Sequence, residues 1–204
     1  TLMNAAGSQP LCDASWVGAD LLAASEFTSA DVVLLSYVLT EIPDAARKSL
    51  VERAWNASAE ALVIVLPGTP RAFEVLLAVR RQLLALGAAI IAPCPHALRC
   101  PMAETPSWCH FAVRVERSRR HRLAKGGDLG YEDEKFCYLI AGRDAASHTD
   151  ARIVNSPKVT KAYIELDLCT SAGEWIQTSI PRRDGALFKR AKKARWGDPW
   201  NTGG

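Results

Sequence analysis

A run that interleaves proline with cysteine has few ways to fold, and Pro93 to His110 is such a run, reading P-C-P-H-A-L-R-C-P-M-A-E-T-P-S-W-C-H. Proline lacks an amide hydrogen and has a fixed φ, which excludes the segment from a helix interior and from a central strand. It reads as a stiffened loop. Cys94, Cys100 and Cys109 lie in it, three of the six cysteines of the chain, with His96 and His110 beside them. Thiolate sulfur suits zinc or an iron–sulfur cluster. The competing reading is a chance group of buried thiols, but a segment so rich in proline and histidine makes a poor piece of core. The spacing C-x5-C-x8-C lacks the short knuckle usual in structural zinc sites, yet spacing alone decides for neither metal. A fourth ligand has to come from elsewhere, with His96, His110, Cys137 and Cys169 as candidates.

Strand and helix patterns alternate ahead of this loop. Ala14 to Leu22 could form a strand, and Asp31 to Ser36 is a continuous apolar run of the kind buried on both faces of a parallel sheet. Pro43-Asp44 opens a helix with Leu50, Val51, Ala54 and Trp55 on one face. Ala61 to Leu66 is the next strand, closed by Pro67-Gly68. A helix from Pro70 to Leu86 turns Phe73, Leu76, Leu77, Leu83 and Leu84 inward and ends at Gly87. Ala88 to Ala92 then leads into the cysteine loop, and Phe136 to Ala141 is one more strand. The pattern predicts a doubly wound α/β sheet over residues 1–143, with an insertion at about 93–130. From Arg152 the pattern changes to alternation, with Tyr163, Glu165, Asp167 and Cys169 set against Ile164, Leu166 and Leu168. A turn at Ser171–Gly173 and the run Trp175 to Ile180 complete a hairpin, and Asp184 to Trp196 reads as a short basic helix. Residues 150–204 thus form a second, smaller unit.

With 204 residues, 49% of them hydrophobic and 23% charged, the chain can build one full domain and an appendage. The net charge is only +3, but its basic residues crowd two segments. Arg114, Arg117, Arg119, Arg120, Arg122 and Lys125 form one; Arg182, Arg183, Lys189, Arg190, Lys192, Lys193 and Arg195 form the other. Such density marks either a solvated face or a surface for an anionic partner. No apolar run is long enough to span a membrane, and no signal peptide is visible. Clustered cysteines in a chain of this size point to a reducing compartment rather than a secreted disulfide framework. The chain opens on Thr1 rather than Met, as a fragment would.

Several motifs together resemble one family. They are P-C-P-H-A-L-R-C-P at 93–101, W-C-H-F at 108–111 and V-E-R-S-R-x-H-R-L-A-K at 115–125. G-Y-E-D-E-K-F at 130–136, E-L-D-L-C-T at 165–170 and K-A-R-W-G-D at 193–198 complete the set. S-Y-V-L-T-E-I at 36–42 is similar to the strand-four motif of the same family. The resemblance, which covers nearly the whole chain, is to the small-ribosomal-subunit methyltransferase-like family, with mitochondrial and bacterial members. It implies a class I methyltransferase fold joined to a four-iron, four-sulfur cluster, acting in small-subunit assembly. Carried over by motif, the ligands would be Cys94, Cys100, Cys109 and Cys169. Cys12 and Cys137 match no ligand position and read as packing residues, while His96 and His110 would orient the loop or bond a sulfur.

The resemblance implies a partial class I methyltransferase (Rossmann-like) sheet lacking its N-terminal half, with a cysteine-rich insertion and a small C-terminal β-hairpin plus helix. Relatives of this fold hold S-adenosylmethionine on a Gly-rich loop after their first strand. This sequence has no such loop, and only Asp20, Ser36 and Tyr37 remain as candidate cofactor contacts. Turn, cap and strand-end roles explain those three residues equally well. S-adenosylmethionine would bind only a full-length form. No set of residues stands out as an acid, base or nucleophile for methyl transfer. The expected function is therefore an iron–sulfur-containing, RNA-binding assembly factor, with small-subunit rRNA and ribosomal proteins as partners. An S-adenosylmethionine-dependent rRNA methyltransferase and a zinc-binding RNA module are the alternatives. The compartment would be cytoplasm in a bacterium and mitochondrial matrix in a eukaryote.

Overall fold

The computed structural model describes residues 14–23, 26–117, 129–144 and 149–201. Among the described residues the fold consists of two five-stranded sheets, a mixed α/β layer followed by an antiparallel one. In the first, β1 (Ala30–Ser36) runs parallel to β2 (Ser58–Pro67), linked by helix α1 (Asp44–Ala57). Helix α2 (Pro70–Ala85) connects β2 to β3 (Ala89–Ala92). Thr69 caps α2, its Oγ1 accepting the Ala72 amide at 3.2 Å, and Pro70 fits the first turn, where no amide donor is needed. Gly87, at φ +82°, ends the helix in the left-handed position that glycine adopts at least cost.

The long strand β5 (Tyr131–Gly142) is the spine of this sheet. Along one edge it pairs antiparallel with β2; along the other it pairs first with β4 (Phe111–Glu116) and then with β3. β3 and β4 thus run in the same direction along one edge of β5, and the cysteine loop is an excursion between them. The insertion expected over 93–130 is therefore loop only in its first part, because residues 111–116 rejoin the sheet.

Three other expectations change. Residues 14–20 form no strand and are followed by a turn at 21–23. β1 is not buried on both faces: Val32 is 53% and Leu34 58% exposed, since β2 is its one strand neighbour among the described residues. The sheet is not doubly wound within the described residues, because α1 and α2 pack against each other on one face. Their apolar stripes give the first core, where Leu50, Val51, Ala54, Val79 and Leu83 meet Leu62, Ile64 and Leu139.

The second unit exceeds the expected hairpin and helix. Strand β8 (Tyr163–Thr170) carries β9 (Trp175–Pro181) on one edge; β6 (Ala151–Ile153) and β7 (Lys158–Val159) share the other. β10 (Pro199–Trp200) extends the sheet beyond β6. The basic helix is short, α3 (Gly185–Ala191), and turns Leu187 and Phe188 onto Ile164, Leu166 and Leu168. Strict alternation in β8 sends Glu165, Asp167 and Cys169 to the opposite face. There Cys169 and Val154 meet Phe73 of α2 and Met102 of the cysteine loop in a small shared core.

Candidate metal centre

The loop between β3 and β4 is fixed at several points. Arg80 of α2 donates to the His96 carbonyl at 2.8 Å, and Arg152 of β6 donates through Nε to the Pro93 carbonyl at 3.0 Å. Trp108 Nε1 donates to the Gly68 carbonyl at 3.0 Å. The hairpin turn closes on the loop from the other side: Gly173, at φ +80°, lies so near Leu98 that an added Cβ would come within 3.1 Å of it. Stiff prolines and these tethers position the sulfurs.

Cys94, Cys100, Cys109 and Cys169 line one pocket. Its other walls include Phe73, Leu76, Leu77, Phe111, Tyr138 and Val154, with Arg80 as the charged member. Three of the thiols come from the loop and its return to β4; the fourth arrives from the second sheet. His96, only 4% exposed, stands with Nε2 at 3.3 Å from the Cys169 sulfur. His110 is turned away, its Nδ1 at 3.2 Å from the Trp108 carbonyl and its ring stacked on Trp108 and edge-on to Trp196.

Every thiol in the pocket is pushed above its ordinary range. Burial raises Cys94, against the pull of the Arg80 and Arg152 guanidiniums. Burial also raises Cys100, and a thiolate at Cys94 would raise it further. Cys109 is raised well above 9.0 by burial and then by Cys94, Cys100 and Cys169. Cys169 is pushed up to about 12 by burial, with Cys94 and Cys100 adding to it. The four sulfurs thus sense one another, so ionising one makes the next harder to ionise. A cation among them reverses that balance. Among the described residues, no three His, Cys, Asp or Glu side chains gather tightly enough to hold a single metal ion.

Cys137 is buried in the first core, with its thiol toward the Pro67 carbonyl at 3.4 Å, and it too raises the Cys109 thiol. Cys12, Arg119, Arg120, Arg122 and Lys125 lie outside the described residues. Arg114 and Arg117 are spent inside the β4–β5 ribbon. Arg114 grips Asp133 at 2.7 and 2.9 Å and covers the Tyr131 ring; Arg117 reaches Glu132 at 2.8 Å. In the other segment Arg190 lies over the Trp200 ring and donates to the Asn201 carbonyl. Arg182, Arg183, Lys189, Lys192, Lys193 and Arg195 are exposed, and none forms an ion pair among the described residues.

Of the three candidate cofactor contacts, Asp20 accepts the Leu22 amide at 2.8 Å and so serves its own turn. Ser36 and Tyr37 sit together at the carboxyl end of β1. Tyr37 has φ +57°, its amide bonded to the Val65 carbonyl and its hydroxyl donating to Glu134 at 3.1 Å. Sequence reasoning missed Arg80 and Arg152. A signal existed for Arg80: it follows Phe73 by seven positions and Leu76 by four, which puts a cation on the apolar stripe of α2. Nothing in the local pattern marked Arg152.

Residues 4–201 match the family described as mitochondrial small ribosomal subunit Rsm22. The human protein named ribosome assembly protein METTL17, mitochondrial, is 28% identical over 183 residues. That alignment takes in 82% of this chain and 39% of the human protein, so the chain spans well under half the length of this relative. Because the family match runs through both sheets and the cysteine loop that joins them, the chain belongs to the Rsm22 family of the mitochondrial small ribosomal subunit.

Proposed function

We propose that this chain is the iron–sulfur-binding, RNA-contacting part of an assembly factor of the small ribosomal subunit, working in the mitochondrion if its source is a eukaryote. The observation that carries the reading is the meeting of Cys94, Cys100, Cys109 and Cys169 in one pocket with apolar walls. Four sulfur donors in a pocket with apolar walls, with cationic side chains beside them, suit a thiolate-ligated cluster. A single zinc ion suits them less. Zinc–sulfur bonds of about 2.3 Å need the ligands drawn close around one ion, and among the described residues no three His, Cys, Asp or Glu side chains gather tightly enough to hold one. When bound, the cluster would supply iron–sulfur bonds that tie four chain positions into one cross-link. Cys94, Cys100, Cys109 and Cys169 would hold it, His96 would orient the Cys169 sulfur, and the surrounding apolar residues would exclude water. The ribosomal part of the reading is supported by family membership and by the name of the human relative. The six exposed cations around α3 offer a surface for phosphates.

Iron analysis of anaerobically purified protein tests it. The parent chain should hold iron and sulfide in equal amounts; Cys169→Ser should lose them and become sensitive to proteases beyond about residue 150, and Cys137→Ser should do neither. Stoichiometric zinc without sulfide would replace the cluster by the zinc reading. Full iron in Cys169→Ser with loss in Cys137→Ser would move the fourth ligand to Cys137.

A second reading, an S-adenosylmethionine-dependent rRNA methyltransferase, draws on Tyr37. Its left-handed backbone is strained for a non-glycine residue, and it sits at the carboxyl end of a parallel strand, where α/β sheets bind their ligands. One such corner covers only an end of the cofactor. Calorimetric titration of this chain with S-adenosylmethionine should show no saturable binding, and micromolar binding would favour this second reading.

A further inference from the structure

Arg80 is a buried cation without a counter-charge among the described residues. It is 5% exposed and lines the pocket beside Cys94. One terminal nitrogen bonds the His96 carbonyl at 2.8 Å, but Nε has no hydrogen-bond partner, and no carboxylate among the described residues pairs with the guanidinium. Arg152 approaches from the second sheet, donating to the carbonyls of Pro93 and Gly197 at 3.0 Å each, again with no carboxylate partner among the described residues. Carbonyl oxygens satisfy donors but leave the charge uncompensated, and a buried charge in that condition is strongly unfavourable. Two guanidiniums, Arg80 buried and Arg152 partly buried, thus converge on one small loop from different elements, a placement that favours an anion near them.

We propose that Arg80 and Arg152 are the counter-ions of the four-cysteine centre, with Arg80 directing its unpaired N–H at a sulfur of that centre. The inference rests on reading the four cysteines as thiolate ligands of one centre. Four thiolates outweigh the double positive charge of a resting four-iron core and leave a dianion, which two guanidiniums neutralise. Arginine suits the role because its charge cannot be lost and its planar fork can serve a carbonyl and a sulfur at once. Both are positioning residues: they set the charge and orientation of the loop and are not ligands. The two forms of the protein should consequently respond in opposite ways to removal of the cation. Without metal, Arg80 is an uncompensated charge, and its loss should cost nothing or stabilise. With the centre in place, its loss should leave excess negative charge buried.

The test uses this 204-residue chain, reconstituted without oxygen from ferrous iron and sulfide, as parent, Arg80→Gln, Arg80→Lys and Arg152→Gln. In Arg80→Gln the loaded form should release iron to a chelator about tenfold faster than the parent, the factor expected on losing a charged hydrogen bond. Its metal-free form should melt at or above the parental temperature. Titration with dithionite, each centre gaining one electron as dithionite is oxidised to sulfite, should show a lower midpoint potential for both Gln variants, because the added electron meets less positive charge. Arg80→Lys should restore most of the potential. A loaded parent whose variants keep the parental release rate and potential would overturn this inference alone. Equal loss of stability in the loaded and metal-free forms would also overturn it, by reducing Arg80 to a loop tether. A parent that takes up neither iron nor zinc would overturn the four-cysteine reading, and this inference with it.

Discussion

Cys137 and Cys169 show how little a residue type says apart from its surroundings. Burial pushes both thiols up to about 12, yet one faces a backbone carbonyl in the core and the other faces three more sulfurs. For Cys137 the folded value lies above the ordinary 9.0, so the folded state holds the proton more tightly. Its contribution to stability is complete below about pH 9 and is lost as pH rises through 12. Urea midpoints of the metal-free chain, measured across that interval, should fall with pH, and less steeply for Cys137→Ala. Equal slopes would contradict the burial of this thiol. Gly68 is a second case. A Cβ there would come within 2.7 Å of the Lys135 backbone, so neither neighbour can yield by rotating a side chain. Gly68→Ala should cost about 1 to 3 kcal/mol in urea denaturation, the range for overpacking; a neutral result would mean that β2 and β5 can separate at this end. Pro67-Gly68 was legible as a strand end, but the crossing of Lys135 was not, because it depends on a partner far along the chain.

Elements with strong local signals matched their sequence patterns. The helices at Asp44 and Pro70, the strand before Gly68 and the β8–β9 hairpin all carry periodicity, caps or turn residues that speak for themselves. What local pattern could not supply was pairing. β4 reads as loop because Arg114 and Glu116 break its apolar run, and its strand character comes from facing Asp133 and Glu132 of β5 across the ladder. That pairing also changes how the two basic segments are read. Arg114 and Arg117 already have carboxylates, whereas Lys189, Lys192, Lys193 and Arg195 have none among the described residues. RNA affinity should therefore draw on the segment around α3. Converting those four to Gln should flatten the dependence of log affinity on log salt by about 0.7 to 0.9 for each phosphate no longer neutralised. Arg114→Gln with Arg117→Gln should leave the slope nearly unchanged. The reverse pattern, read by titration of a small-subunit rRNA fragment at several salt concentrations, would move the RNA surface to the β4–β5 ribbon.

At the scale of the molecule, the two sheets meet around the cysteine loop. Phe73 of α2, Met102 of the loop, and Val154 and Cys169 of the second unit share one small core, and Arg152 reaches across to Pro93. This joint is modest beside the two cores it connects, which suits a fold that needs an added cross-link. The sequence pointed to Cys169 only through its motif, since sixty positions separate it from Cys109 and no periodicity spans that distance. Those separations also have a meaning in time. Cys94, Cys100 and Cys109 leave a ribosome nearly together, and gathering them closes only short loops. Bringing in Cys169 closes a far longer one, at an entropic cost about 2 kcal/mol greater. If the four share one centre, the first three form an early, open three-cysteine site that a growing chain can present before its second sheet exists. Cys169 then arrives last of the four, and the maturation of the centre is timed by the synthesis of the second sheet.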